Sequence, residues 1–167
     1  ERPFDIYKNL FAEKGITYKD NEGKMPIILS GRLTPGIYNL SGAVSSQFVS
    51  GLLFALPLLE GDSEINITGD LQSLPYIQMT IEVIKEFGIN IKHETDYRRI
   101  VIPGNQQYKA LPLYVVEGDW SQAAFFCVMG AISGQINITG LNLDSCQGDK
   151  VIIDILRKMG AVSEISE

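Results

Sequence analysis

Ile65-Asn66-Ile67-Thr68-Gly69 recurs, residue for residue, as Ile136-Asn137-Ile138-Thr139-Gly140. Each copy alternates apolar and polar residues, the pattern of a strand with one buried face. Outward from it, the surroundings repeat as well. A Ser-Gln pair and an apolar stretch precede each copy, at Ser46-Gln47-Phe48 and at Ser121-Gln122-Ala123. A loop bearing Leu and Ser follows, then a helix-like run that closes at Gly88 or Gly160. Gly15 closes a third such run, so the closing glycines lie 73 and 72 residues apart. A period near 72 residues exceeds the solenoid repeats of about 20–50 residues and has the size of a supersecondary unit. The chain is expected to hold about two and a third units and to begin partway through one.

The complete unit spans residues 27–104. Residues 27–33 and 37–40 predict short strands around the turn Thr34-Pro35-Gly36. Ser45 opens a helix in which Phe48, Leu52 and Ala55 share one face and Val49, Leu53 and Leu56 another, so the helix belongs inside a domain. Residues 64–68 alternate as a strand. Ser73 is placed to cap the next helix, with Pro75 in its first turn and Ile77, Ile81 and Ile84 on its apolar face. Gly88 ends it, and strands at 89–94 and 98–103 follow around Thr95-Asp96. Phe4, Tyr7, Leu10 and Phe11 form the apolar face of a first helix. The last third predicts a helix at 120–131, a strand at 135–139 and a helix at 149–159, with Val151 and Ile155 on one stripe and Ile152, Leu156 and Met159 on another. The expected class is therefore α/β of the α+β type, built from repeated β-α-β-α-β-β units. A domain crossing is expected between Gly104 and Asp119. It puts residues 1–114 (a partial unit, 1–26, and the full unit, 27–104) in a first domain and 115–167 in a second. Patterning alone leaves 111–116 open between a linker and a further strand.

Composition narrows the function classes. With 167 residues and 45% hydrophobic content, the chain can bury a sizeable core. A net charge of −6 opposes binding to duplex nucleic acid, which needs a basic footprint. The longest apolar run, 48–59, contains Pro57 and predicts a buried helix, so no membrane span is expected. The first segment is polar and no signal peptide is expected; the absent initiator Met points to a fragment or a processed product. Cys127 and Cys146 lack metal-ligand spacing and are expected as reduced thiols of a cytoplasmic protein. The Asn-x-Thr patterns at Asn66 and Asn137 fall inside predicted strands and are not expected to be glycosylated.

Three helix starts could carry chemistry. Hydroxyls and free backbone N–H groups make Ser45-Ser46-Gln47 either an anion site or an ordinary cap. Ser73 and Tyr76 open a second helix and pose the same alternative. Arg2, before Pro3, could hold a carboxylate or phosphate in a bidentate manner or simply be solvated. The repeat raises all three, because equivalent helix starts in pseudo-symmetric units tend to face a shared region. Glu117 and Asp119 flank Gly118 before a helix, where they either titrate in a cleft or complement the helix dipole. His93, the one histidine, reads as a surface residue. Nothing resembles a metal cluster, a Ser-His-Asp triad or a Walker loop, and no cofactor is implied.

These same residues carry a family resemblance. Arg2-Pro3, Gly42-Ala43-Val44-Ser45-Ser46-Gln47-Phe48, Ser73-Leu74-Pro75-Tyr76-Ile77-Gln78-Met79-Thr80, Val116-Glu117-Gly118-Asp119-Trp120-Ser121 and Gln147-Gly148-Asp149 resemble the 3-phosphoshikimate 1-carboxyvinyltransferases, the EPSP synthase family of enolpyruvyl transferases. The resemblance runs from residue 1 to about 162. It implies two domains of three units each about a pseudo-threefold axis, with the active site in the cleft between them. It also implies transfer of the enolpyruvyl group of phosphoenolpyruvate to the 5-hydroxyl of shikimate 3-phosphate, through a tetrahedral intermediate and loss of phosphate, on the way to chorismate and the aromatic amino acids.

Carried over by motif, the resemblance implies that Ser45 and Ser46 bind shikimate 3-phosphate, with Ser46 and Ser73 at its phosphate. Gln47 would touch both substrates, Tyr76 would lie against the shikimate ring or phosphate, and Arg2 would hold phosphoenolpyruvate. Glu117 and Asp119 would sit at the interdomain crossover. The family's other catalytic groups would lie outside residues 1–167, so the chain alone is expected to be inactive and the intact enzyme monomeric. The alternatives are the sister enzyme acting on UDP-N-acetylglucosamine and a non-catalytic anion-binding module.

Overall fold

Three glycines close three helices with one and the same hydrogen-bond pattern. In the computed structural model, which describes residues 5–43, 45–71 and 73–164, Gly15, Gly88 and Gly160 adopt φ of 71°, 84° and 97°. Each donates its N–H to the carbonyl three residues back (Ala12, Lys85, Arg157). The next residue in each case, Ile16, Ile89 or Ala161, donates to the carbonyl five residues back (Phe11, Ile84, Leu156) at 2.8–3.1 Å. This paired closure satisfies the last helical carbonyls and needs a left-handed residue that glycine supplies without strain. The three expected helix stops are thus present in backbone geometry.

The chain divides into two compact units, residues 1–110 and 111–167. In the first, helix α1 (Asp5–Glu13) leads into a hairpin of β1 (Thr17–Asn21) and β2 (Lys24–Ser30), paired antiparallel from Thr17–Ser30 to Asn21–Lys24. A four-stranded sheet follows, ordered β3-β4-β6-β5, from β3 (Gly36–Ser41), β4 (Ser63–Thr68), β5 (Lys92–His93) and β6 (Arg99–Ile102). Strands β3 and β4 are parallel and are joined by α2 (Ser46–Ala55); α3 (Leu74–Glu86) follows β4.

Register explains the core. Tyr38 lies beside Ile65 and Ile65 beside Ile100, while Leu40 lies beside Ile67. All five point to one face and are buried, so period-2 patterning on three strands makes one apolar surface. Val49, Leu52, Leu53 and Leu56 from α2 and its 3₁₀ extension, and Ile77, Ile81 and Ile84 from α3, cover that face. Leu56 and Leu53 are fully buried, as expected of a helix apolar on several sides. The opposite face carries Ile37 and Val101 among polar residues, including Arg99, whose guanidinium meets Glu64 at 2.7 Å.

Two strand expectations need correction. Residues 27–33 do not open the four-stranded sheet: 24–30 pair instead with 17–21 in the separate hairpin, whose first strand the patterning did not predict. Residues 135–139 form no strand, although four of these positions, 136–139, duplicate the sequence of β4. Strand β4 is held between two neighbours, β3 and β6, whereas no strand pairs with 135–139 among the described residues. Alternation marks a face; only a paired ladder makes a strand.

In the second unit α4 (Trp120–Ser133) and α5 (Ile152–Lys158), the latter preceded by a 3₁₀ turn at Gly148–Val151, match the expected helices. Trp120 and Ala123 are buried, but the expected apolar stripe of the last helix is open, with Val151, Ile155 and Met159 exposed. No helix among the described residues is long and apolar enough to cross a membrane.

Candidate functional site

Because β3 and β4 run parallel and each feeds a helix that returns along the sheet, α2 and α3 start at the same end of the sheet. That end, beyond the carboxyl ends of parallel strands, is where open α/β sheets bind ligands. A close backbone approach fixes it. A β-carbon built on Gly42 would lie 2.6 Å from the Asp70 carbonyl oxygen, so only glycine lets the segments after β3 and β4 touch. The Gly42 N–H donates to Thr68 O at 2.7 Å and ties the same two segments.

There the two helix starts enclose a concavity of about 300 Å³ lined by Ser45, Ser46, Gln47, Ser50, Ser73, Tyr76, Met79 and Thr80. Ser45 is the N-cap of α2: its side chain accepts the Gln47 N–H at 3.4 Å, so its own O–H remains to donate outward. Ser46 is buried and Tyr76 is 44% exposed at the rim. Ser73 precedes α3 but differs from an ordinary cap. It sits in left-handed conformation (φ 59°, ψ 35°) and its side chain makes no capping hydrogen bond. Left-handed backbone is strained for a residue with a β-carbon, a cost of about 1–3 kcal/mol, and such strain collects at binding sites. The hydroxyl is thus withheld from the helix that it precedes. Among the described residues no charged side chain lines the concavity. What it offers an anion is a set of hydroxyl donors gathered at two helix starts, where the helix dipoles also favour negative charge.

Five of the expected residues, Ser45, Ser46, Gln47, Ser73 and Tyr76, therefore meet in one place. Arg2 lies outside the described residues, as does Phe4. Ser50 and Thr80 were not anticipated. Each stands one helical turn beyond a residue that was, Ser46 and Tyr76, and that spacing was the available signal.

Glu117 and Asp119 lie in the second unit, where both are engaged locally. Asp119 caps α4, accepting from the N–H groups of Ser121 at 2.8 Å and Gln122 at 3.3 Å. The Glu117 carboxylate accepts from Ser145 Oγ at 2.7 Å, Gln147 Nε2 at 2.8 Å and Asn142 Nδ2 at 2.9 Å. Partial burial pushes its pKa up, but the bonds from Gln147, Ser145 and Asn142, with the Lys150 charge, outweigh this and hold it below the ordinary glutamate value. Gln147 also accepts the Trp120 N–H at 2.9 Å and donates to Gly118 O at 3.0 Å, and Ser121 donates to Asp149. The segments 117–121 and 147–149 thus latch together at the start of α4, and the ionised Glu117 is the acceptor at its centre.

The family described as EPSP synthase (3-phosphoshikimate 1-carboxyvinyltransferase) matches residues 1–167. The chain is similar to the 3-phosphoshikimate 1-carboxyvinyltransferase of Clostridium acetobutylicum, at 53% identity over 99% of this chain and 39% of that protein. The protein of that name from Clostridium kluyveri is 47% identical over 100% of this chain and 39% of its own length. A solved structure of EPSP synthase from Acinetobacter baumannii superposes with a TM-score of 0.67 at 22% identity, over 95% of this chain and 35% of that one. The chain thus spans about two-fifths of the length of the curated relatives that it matches.

Proposed function

The chain belongs to the EPSP synthase family, and on that premise we propose that the whole protein transfers the enolpyruvyl group of phosphoenolpyruvate to the 5-hydroxyl of shikimate 3-phosphate. The new bond joins the 5-oxygen, which gives up its proton, to C2 of phosphoenolpyruvate as the methylene takes a proton and becomes a methyl group. The tetrahedral intermediate then loses a proton from that methyl group and expels phosphate, which restores the double bond. In this reading residues 1–114 belong to one domain and 115–167 to the next, in a cytoplasmic, monomeric enzyme. The pieces of the chemistry that need a proton donor and acceptor belong to the whole protein, so the 167-residue chain by itself is not expected to turn over.

The observation that carries the reading is the concavity between α2 and α3. Its donors suit a phosphate monoester: hydroxyls of Ser45, Ser46 and Ser73 with two helix starts for the dianion, and Gln47 and Tyr76 beside it for the ring. Arg2 is assigned to phosphoenolpyruvate and Glu117 and Asp119 to the crossover, all three on the family motif.

Calorimetric titration of the whole protein tests it. Shikimate 3-phosphate is expected to bind and UDP-N-acetylglucosamine is not. Ser46→Ala and Ser73→Ala should each weaken shikimate 3-phosphate about ten- to hundredfold, since a hydrogen bond to a charged group contributes roughly 1.5–3 kcal/mol. Arg2→Ala should act on phosphoenolpyruvate instead. Unchanged shikimate 3-phosphate affinity in both serine variants would overturn the assignment.

A further inference from the structure

We infer that Ser50 and Thr80, which no family motif assigns to substrate, are positioning residues for shikimate 3-phosphate; the inference rests on the reading proposed above. Their hydroxyl oxygens lie 2.8 Å apart and link α2 to α3 within the lining of the concavity. The direction of this bond follows from proton count. Thr80 Oγ1 donates to the Tyr76 carbonyl at 2.7 Å. A hydroxyl has one proton, so Thr80 can only accept from Ser50. A directed chain thus runs from Ser50 to Thr80 to the first turn of α3.

Each member of the chain stands one turn from a ligand residue. Ser50 follows Ser46 by four positions on α2, and Thr80 follows Tyr76 by four on α3. The bridge therefore sets the separation of the two helix starts. Ser46 donates from one side and Ser73 and Tyr76 from the other, and a phosphate held from both sides is sensitive to that gap. Leu52 and Leu53 of α2 join Ile77, Ile81 and Ile84 of α3 in one apolar cluster, which fills space without fixing slide or rotation. The Ser50–Thr80 pair adds a directional constraint, and the two bonds in series strengthen each other.

The test is steady-state kinetics of the whole protein with Ser50→Ala, Thr80→Val, the double variant and Thr80→Ser, each with its thermal midpoint. Ser50→Ala and Thr80→Val should each raise the KM for shikimate 3-phosphate about three- to tenfold, the effect of one lost neutral hydrogen bond. The KM for phosphoenolpyruvate and kcat should change by less than about twofold. The double variant should be no worse than the poorer single one, because either change breaks the same chain. Thr80→Ser keeps the hydroxyl and should restore the KM even if its midpoint falls. The inference is overturned if both single variants keep the wild-type KM, if kcat and both KM values shift together, or if Thr80→Ser fails to rescue. It is distinguished from the parent reading by Ser46→Ala: a weakened Ser46→Ala beside unaffected Ser50 and Thr80 variants sinks the inference alone. An unaffected Ser46→Ala sinks both.

Discussion

The hydroxyl of Tyr7 stands 2.6 Å from where a β-carbon on Gly51 would lie. It donates to the Phe48 carbonyl at 3.0 Å, and the Tyr7 ring meets Phe48 edge-on. Gly51, in mid-helix, is thus the notch into which α1 docks on α2. Glycine inside a helix costs about 1 kcal/mol relative to alanine, so the notch is retained against local preference.

This makes a prediction of changing sign. Gly51→Ala gains that ~1 kcal/mol of helix preference but drives a methyl into Tyr7, an overpacking cost of about 1–3 kcal/mol, and strains the bond to Phe48. The net expectation is a loss of about 1–2 kcal/mol in urea unfolding. In a Tyr7→Phe background the obstructing oxygen is gone and the nearest ring carbon is 3.9 Å away. There the same substitution should stabilise. Equal effects in the two backgrounds would mean that the contact does not govern the docking.

Gly42→Ala should damage binding and stability together. Its β-carbon meets backbone, the Asp70 carbonyl carbon and oxygen and the Leu71 α-carbon, within 3.0 Å. Backbone cannot rotate aside as a side chain can. The segments leading to Ser45 and Ser73 must separate, with a stability loss of about 1–3 kcal/mol. Shikimate 3-phosphate affinity should fall at least about tenfold, since both halves of the donor set shift. Calorimetry on a variant that remains folded by circular dichroism checks this; retained affinity would show that the helix starts are placed by other contacts.

Ser63 offers a gain. Its Oγ is buried in β4 with no hydrogen-bond partner among the described residues, beside Gly36 and Ile102. A buried unpaired hydroxyl costs about 1–3 kcal/mol, and alanine removes it with little change of volume. Ser63→Ala should therefore raise stability by about 1 kcal/mol in urea unfolding. A loss of that size would reveal a partner for the hydroxyl.

The helix ends were legible because a glycine at the stop is a local necessity: three backbone closures each need one left-handed residue, and the spacing of Gly15, Gly88 and Gly160 announces it. The helix starts at Ser45 and Ser73 were legible for a related reason, since each serine precedes an apolar run of helical period. What was not legible depends on partners. Thr17–Asn21 is short and largely polar, and its exposed–intermediate alternation gave no strong strand signal. The pairing of 24–30 with it, rather than with the large sheet, is decided by the hairpin and not by the residues of 27–33 themselves. The duplicated Ile-Asn-Ile-Thr-Gly makes the point most directly: one sequence forms β4 between two strands and forms no strand where none pairs with it. Ser73 shows the same limit at the site. Its position at a helix start could be anticipated, but its left-handed backbone and uncapped hydroxyl could not.

Acid should loosen the second unit through Glu117. Its folded pKa lies below the ordinary glutamate value despite a desolvation push upward, because Gln147, Ser145, Asn142 and the Lys150 charge favour the carboxylate. A depressed folded pKa gives stability that is fully present above the unfolded value and is lost as pH falls through the folded one. The window therefore opens below the ordinary glutamate pKa of about 4.3 and extends downward. Protonation removes acceptor capacity from three donors at once and loosens Gln147, which also holds the Trp120 N–H. Trp120 is the single tryptophan of the chain and is buried, so its emission reports this latch. Between pH 6 and 3 the emission should shift to the red as the indole meets water, before the signal of the first unit's sheet changes. Glu117→Gln should show part of the red shift already at neutral pH, with a stability loss of about 1–3 kcal/mol, and a flatter dependence below. An emission that stays blue through pH 3 in the wild type, or an equally steep acid transition in Glu117→Gln, would place the acid-sensitive group elsewhere.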